Sequence, residues 1–160
     1  MSFMSGVDIT AVYSVDSTAP VYPFQLGEIY QASNGKKYKF VTYDTGAGSV
    51  AAVSGQVAYY YAPSGTSAGA TTTVTSDLSD SAEVGAGVLQ SAPTDGQLCW
   101  IQVAGAATLS IALTAGGDGD PLTPTGATDG TLDLTTAVTD HQCAYAIDAS
   151  AKIIMCCFPQ

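Results

Sequence analysis

Glu28-Ile29-Tyr30-Gln31-Ala32-Ser33-Asn34-Gly35-Lys36-Lys37-Tyr38-Lys39-Phe40-Val41-Thr42-Tyr43 decides the fold. Two strand-like runs flank Asn34-Gly35, and an Asn-Gly pair in that position is the strongest short hairpin signal, because both residues tolerate positive φ. Successive strand side chains alternate, so Lys37 and Lys39 share one face and Tyr38 and Phe40 the other. The pattern predicts an antiparallel hairpin with a wet face carrying the lysines and a buried face carrying the aromatics.

The same signals recur downstream. Gln56-Val57-Ala58-Tyr59-Tyr60-Tyr61-Ala62 and Thr71-Thr72-Thr73-Val74-Thr75 read as strands separated by a small, polar loop over 63–70. Gly87-Val88-Leu89-Gln90 is a short strand, Pro93-Thr94-Asp95-Gly96 a turn, and Gln97-Leu98-Cys99-Trp100-Ile101-Gln102-Val103 a strand apolar on both faces. Such a strand belongs in the middle of a core or under an intersubunit contact. Gly105 punctuates it, and Thr108-Leu109-Ser110-Ile111-Ala112-Leu113 reads as the next strand. A turn-rich stretch at 116–121 leads to closing strands near 131–134, 142–147 and 152–158. Helix signals are nearly absent, and no repeat period of the solenoid or propeller kind occurs. The expected fold is all-β: a compact antiparallel β-sandwich or β-barrel spanning 27–160 as a single domain.

Residues 1–26 read differently, as an extended N-terminal arm. They hold no lysine, two prolines (Pro20 and Pro23), and isolated apolar side chains at Phe3, Val7, Ile9, Val12, Tyr13 and Val15. Proline suits an edge or an extended segment. The spacing suggests an arm that packs on something else.

Composition limits the function. Hydrophobic residues make up 46% and charged residues 11%, against roughly 25% charged in ordinary soluble domains. The basic residues are Lys36, Lys37, Lys39 and Lys152, with no arginine, and fourteen acids bring the net charge to -10. A nucleic-acid binder needs a basic face to displace counterions, and an anionic membrane surface makes the same demand, so neither partner is expected. The longest strongly apolar run, Ile153-Ile154-Met155-Cys156-Cys157-Phe158, is far short of the ~20 residues of a membrane helix. Met1-Ser2-Phe3-Met4-Ser5 has neither the basic region nor the apolar core of a secretory signal.

No set of residues carries a recognisable chemistry. Cys99, Cys143, Cys156 and Cys157 read as buried free thiols. His141-x-Cys143 with Cys156-Cys157 has the wrong spacing for zinc. Asp118-Gly119-Asp120 resembles part of a calcium loop but lacks the closing bidentate glutamate, so turn chemistry accounts for it better. The single histidine, His141, adjoins Asp140, yet neighbours on a strand point apart, and no nucleophile elbow or phosphate loop is present. Twelve of the fourteen acids are aspartates, mostly in turn-like contexts, which favours structural roles over a glycosidase-type carboxylate pair. Tyr59, Tyr60 and Tyr61 alternate faces and cannot make one flat sugar platform. No enzyme, cofactor or metal is expected.

Leu26-Gly27-Glu28-Ile29-Tyr30 through Asn34-Gly35-Lys36-Lys37-Tyr38-Lys39-Phe40-Val41 resembles the opening hairpin of small tailed-phage structural proteins. Gly87-Val88-Leu89-Gln90 with Gly96-Gln97-Leu98-Cys99-Trp100-Ile101-Gln102-Val103-Ala104-Gly105 resembles their central strands, and Gly119-Asp120-Pro121-Leu122 a segment that follows them. The resemblance is to capsid decoration (cement) proteins of tailed bacteriophages. It implies a β domain on the capsid exterior, often as homotrimers, that bridges capsomers of the major capsid protein, with synthesis in the host cytoplasm and no active-site residues. The long arm and the lack of arginine depart from that family. On this reading the arm residues Phe3, Val7, Ile9, Val12, Tyr13 and Val15 anchor on the capsid and the β domain makes the trimer. The alternatives are another virion component, such as a head fibre base or tail protein, a carbohydrate-binding module, or a small lyase or hydrolase.

Overall fold

The strand apolar on both faces is buried on both faces. In the computed structural model, which describes residues 6–15, 23–62 and 72–160, Cys99, Ile101 and Val103 enter one hydrophobic core while Leu98 and Trp100 enter a second. The strands are β1 (Ile29–Gln31), β2 (Lys37–Tyr43), β3 (Val57–Tyr61), β4 (Thr73–Thr75), β5 (Ser81–Leu89), β6 (Leu98–Thr108), β7 (Pro121–Thr123), β8 (Asp133–Leu134), β9 (Ala144–Asp148) and β10 (Ile153–Cys157). Among the described residues the one helical element is a single 3-10 turn, Leu78–Asp80.

Five strands close on themselves. The order β2-β4-β3-β5-β6 returns to β2, forming a barrel that abolishes the free edges of those strands. The expectation of a wholly antiparallel sheet is corrected at one place: β2 and β4 run parallel, with Thr42 beside Thr73 and Tyr43 beside Val74. A parallel pair needs a long crossover, and the chain between them supplies it by placing β3 on the far side of β4.

β6 is the axis of the molecule. Its first part pairs with β2, from Leu98 opposite Thr42 to Ala104 opposite Lys37. Gln102 and Ile101 pair with β5. From Ala104 to Thr108 its neighbour is β10, beyond which β9, β7 and β8 continue as a wing. The first core fills the barrel and the underside of the wing, joining Val41, Tyr59, Val88 and Ile101 to Leu122, Ile154 and Phe158. The second lies on the opposite face of β2 and β6, around Phe24, Tyr38, Phe40, Leu98 and Trp100.

Three local expectations change. The hairpin forms with Ile29 opposite Lys39, but only Gly35 takes positive φ (83°). Gly35 N–H donates to Ala32 O at 3.0 Å and Ala32 N–H to Lys36 O at 2.9 Å, so the loop is Ser33-Asn34-Gly35 with glycine in the left-handed position. Gly105 does not end β6; at φ 93° it sits inside the strand, and Thr108 is the last strand residue, so the strand expected over 108–113 does not form. That stretch is instead tied to loops, Leu109 N–H to Lys152 O and Ser110 N–H to Gly55 O. β7, read as the end of a turn, starts on Pro121, the place in a strand where a missing N–H costs least.

Candidate functional site

Of the arm residues assigned to a capsid contact, Phe3 lies outside the described residues. Val7, Ile9 and Tyr13 pack against the second core of their own domain. Tyr13 and Leu98 exchange both backbone bonds, at 2.9 and 2.8 Å. The Tyr13 ring meets Phe40 and Phe24 edge-on, with centroids 5.7 and 6.2 Å away. Trp100, fully buried, stands 4.9 Å from Phe24 and 5.0 Å from Phe40, and its indole N–H finds no acceptor among the described residues. The cause is the outer face of β2 and β6: Tyr38, Phe40, Leu98 and Trp100 make it too apolar to leave wet, and the arm is the nearest apolar cover. Val12 and Val15 remain on the outside, 36% and 55% exposed.

The lysines do not form a wet face. Lys39 is 6% exposed, on the barrel side of β2, with its ammonium donating to the Tyr60 hydroxyl at 2.9 Å and lying 5.0 Å from the centre of that ring. Tyr60 in turn donates to Pro159 O at 3.3 Å, and Lys37 donates to Gln160 Oε1 at 3.2 Å. Alternation put the lysines opposite Tyr38 and Phe40, but in a closed barrel with an outer cover both faces of β2 are interior.

The carboxylates hold loops. Asp77 accepts from the Ser79 hydroxyl and amide and from Gly48 N–H, while Asp80 accepts from Ala47 N–H, Asp95 from Thr45 N–H and Asp129 from Leu78 N–H. The Ser79 hydroxyl bond holds the Asp77 carboxyl below its ordinary range. Asp140 is lowered by the amides of Ala137 and Thr136, which leaves it serving a turn beside the exposed His141. Asp148 is lowered by Ala151 N–H and the Ser150 hydroxyl. Asp118 accepts from Ala149 N–H and Asp120 from Gly117 N–H, as turn chemistry predicts. Among the described residues no three histidine, cysteine or acidic side chains gather as metal ligands.

Cys99, Cys143 and Cys156 are buried free thiols, as expected, but Cys157 is exposed. Burial pushes the Cys99 and Cys156 thiols up to about 12 and raises Cys143 further. It also raises the Tyr59 phenol, whose hydroxyl bonds the Thr131 carbonyl deep in the core. Tyr59 and Tyr60 are core side chains, and Trp100 is covered, so neither offers a stacking platform.

One surface escaped the reading of the sequence. On β9, Ala144 and Ala146 point into the core while Tyr145 and Ile147 point out, each 39% exposed. On β10, Ile154 and Cys156 are buried and Ile153 and Met155 lie half-buried on the outside. The available signal was the alternation of small and large apolar residues over 144–147, which places the large ones away from the core. Comparison of the chain with known protein families, curated proteins and solved structures finds no match.

Proposed function

We propose that this chain is a structural virion protein that decorates and stabilises a bacteriophage capsid by bridging capsomers. The observation that carries the reading is the adjacency of the segments that resemble cement proteins. The β1–β2 hairpin and β6, separated by some fifty residues of sequence, pair directly from Lys37 to Thr42, so the resemblance covers one continuous piece of the fold. The chemistry of the rest supports it: carboxylates engaged by loop amides, thiols and tyrosines used as core, and a surface without a basic face.

With Val7, Ile9 and Tyr13 engaged on their own domain, the arm side chains free to touch a capsid are Val12 and Val15. A bridging protein touches several capsomers at once, and linked contacts raise avidity far above that of each alone. Capsids lacking the protein, titrated with it, are expected to saturate at a fixed ratio and to resist heat better. Val12→Asp with Val15→Asp is expected to weaken capsid binding at least ten-fold while leaving the melting temperature within about 2 °C, since exposed substitutions of this kind rarely move stability by more than about 0.5 kcal/mol. Failure to bind capsids at all sinks the assignment; full binding by the double variant removes the arm from the contact.

A further inference from the structure

We infer that the outer face of the wing is a contact between two copies of this chain, stacked face to face about a two-fold axis. The inference does not depend on the capsid reading; it rests on an inverted sheet. A sheet face open to water ordinarily carries polar side chains. Here Met155 stands between Tyr145 on β9 and Ala106 on β6, while Cys157 pairs with Ala104 and Ile153 with Thr108. With Ile147 these make an apolar strip that bears no charged side chain among the described residues, on a chain of net charge -10.

The charges at the two ends of the strip select the occupant. Lys36 lies over Gly105 at the Ala104 end, where a Cβ on that glycine would meet Lys36 Cγ at 2.9 Å. Asp148, paired with Ile153, stands at the other end. Along β10 the ends are about 13 Å apart at 3.3 Å per residue. Two copies with antiparallel β10 strands bring each Lys36 to the other's Asp148, so both ends are matched at once, as an isologous contact requires. A parallel stacking sets lysine on lysine and aspartate on aspartate. Elsewhere two such acidic chains repel each other, and the uncharged strip is where they approach at least cost.

The size of the strip sets the strength. Four strands wide and five residues long, it covers roughly 300 Å², below the ~800 Å² per partner of a stable interface. The expected contact is therefore weak, with a dissociation constant on the order of 100 µM, and becomes important where copies are held side by side.

Sedimentation velocity on the full chain, over ~10 µM to 1 mM with a reductant to keep the exposed Cys157 thiol free, tests the inference. The expected result is a monomer–dimer equilibrium that Met155→Lys and Tyr145→Lys each shift toward monomer at least ten-fold, with unchanged melting temperatures. A wild-type chain that stays monomeric, one that forms trimers, or variants that associate as tightly as wild type overturn it. The register is tested by Lys36→Gln and Asp148→Asn, the latter keeping the oxygen that Ser150 and Ala151 use. Each is expected to weaken the dimer several-fold, and the double variant no more than either alone; multiplicative losses overturn the two-fold register. Capsid saturation is scored separately, so a monomer that saturates capsids ends this inference and leaves the proposed function standing.

Discussion

Lys39 separates two meanings of alternation. Period-two reading placed it opposite Tyr38 and Phe40, and the barrel side of β2 is where it lies, but that side is interior. Local periodicity assigns a side chain to a face; what covers the face depends on strands far away in sequence. A buried ammonium also contributes unevenly to stability. Removing its only oxygen partner among the described residues by Tyr60→Phe leaves a charge unsatisfied and is expected to cost about 1–3 kcal/mol. Lys39→Met removes the charge at similar volume and is expected to stay within about 1.5 kcal/mol of wild type. Chemical denaturation of the two variants measures both, and a costlier Lys39→Met would show that the cation contributes net stability through the Tyr60 ring.

At the scale of elements, strand existence was legible and strand ends were not. The hairpin, β3, β4, β9 and β10 lie where the apolar runs put them, within a residue or three. β5 and β6 are longer than expected because glycine was read as punctuation, whereas Gly105 marks a distortion inside a strand. It stands where β6 has exchanged β5 for β10 as neighbour, and its φ of 93° is the local bend. Gly105→Ala meets both the strained backbone and Lys36 Cγ, and is expected to destabilise by about 1–2 kcal/mol. Thermal melts check this, and a neutral alanine would mean that the backbone relaxes without cost. The arm residues were legible as apolar and extended, but not as covering their own domain, since nothing local in 7–13 specifies Trp100 as the surface beneath them.

For the whole molecule, all-β character followed from composition and turn spacing, whereas closure did not. Closure rests on Thr42 meeting both Thr73 and Leu98, pairings that leave no local trace. The closed barrel also sets the response to pH. Cys99, Cys143 and Cys156 ionise near 8.5 once unfolded, but their folded pKa values are raised by burial, two of them to about 12. Their contribution is complete below the unfolded value and is lost as pH climbs toward the folded ones, at up to about 1.4 kcal/mol per pH unit for each thiol. Asp77, Asp140 and Asp148 act in the opposite sense: their folded pKa values are lowered, so their contribution is present above pH ~4 and lost as pH falls through those values. Melting temperatures recorded from about pH 3 to 11 are expected to form a plateau that falls at both ends. A curve flat from about pH 8 to 11 would show that the thiols are less shielded than their burial implies.

Trp100, the chain's one tryptophan, is buried in the cluster that the arm completes. An indole so enclosed emits toward the blue and resists quenchers, and it reddens when water reaches it. Lifting the arm wets that cluster while the barrel core, on the other face of β2 and β6, stays dry. The molecule therefore carries its own optical gauge, in which arm release and global unfolding register as separate colour changes without any added label.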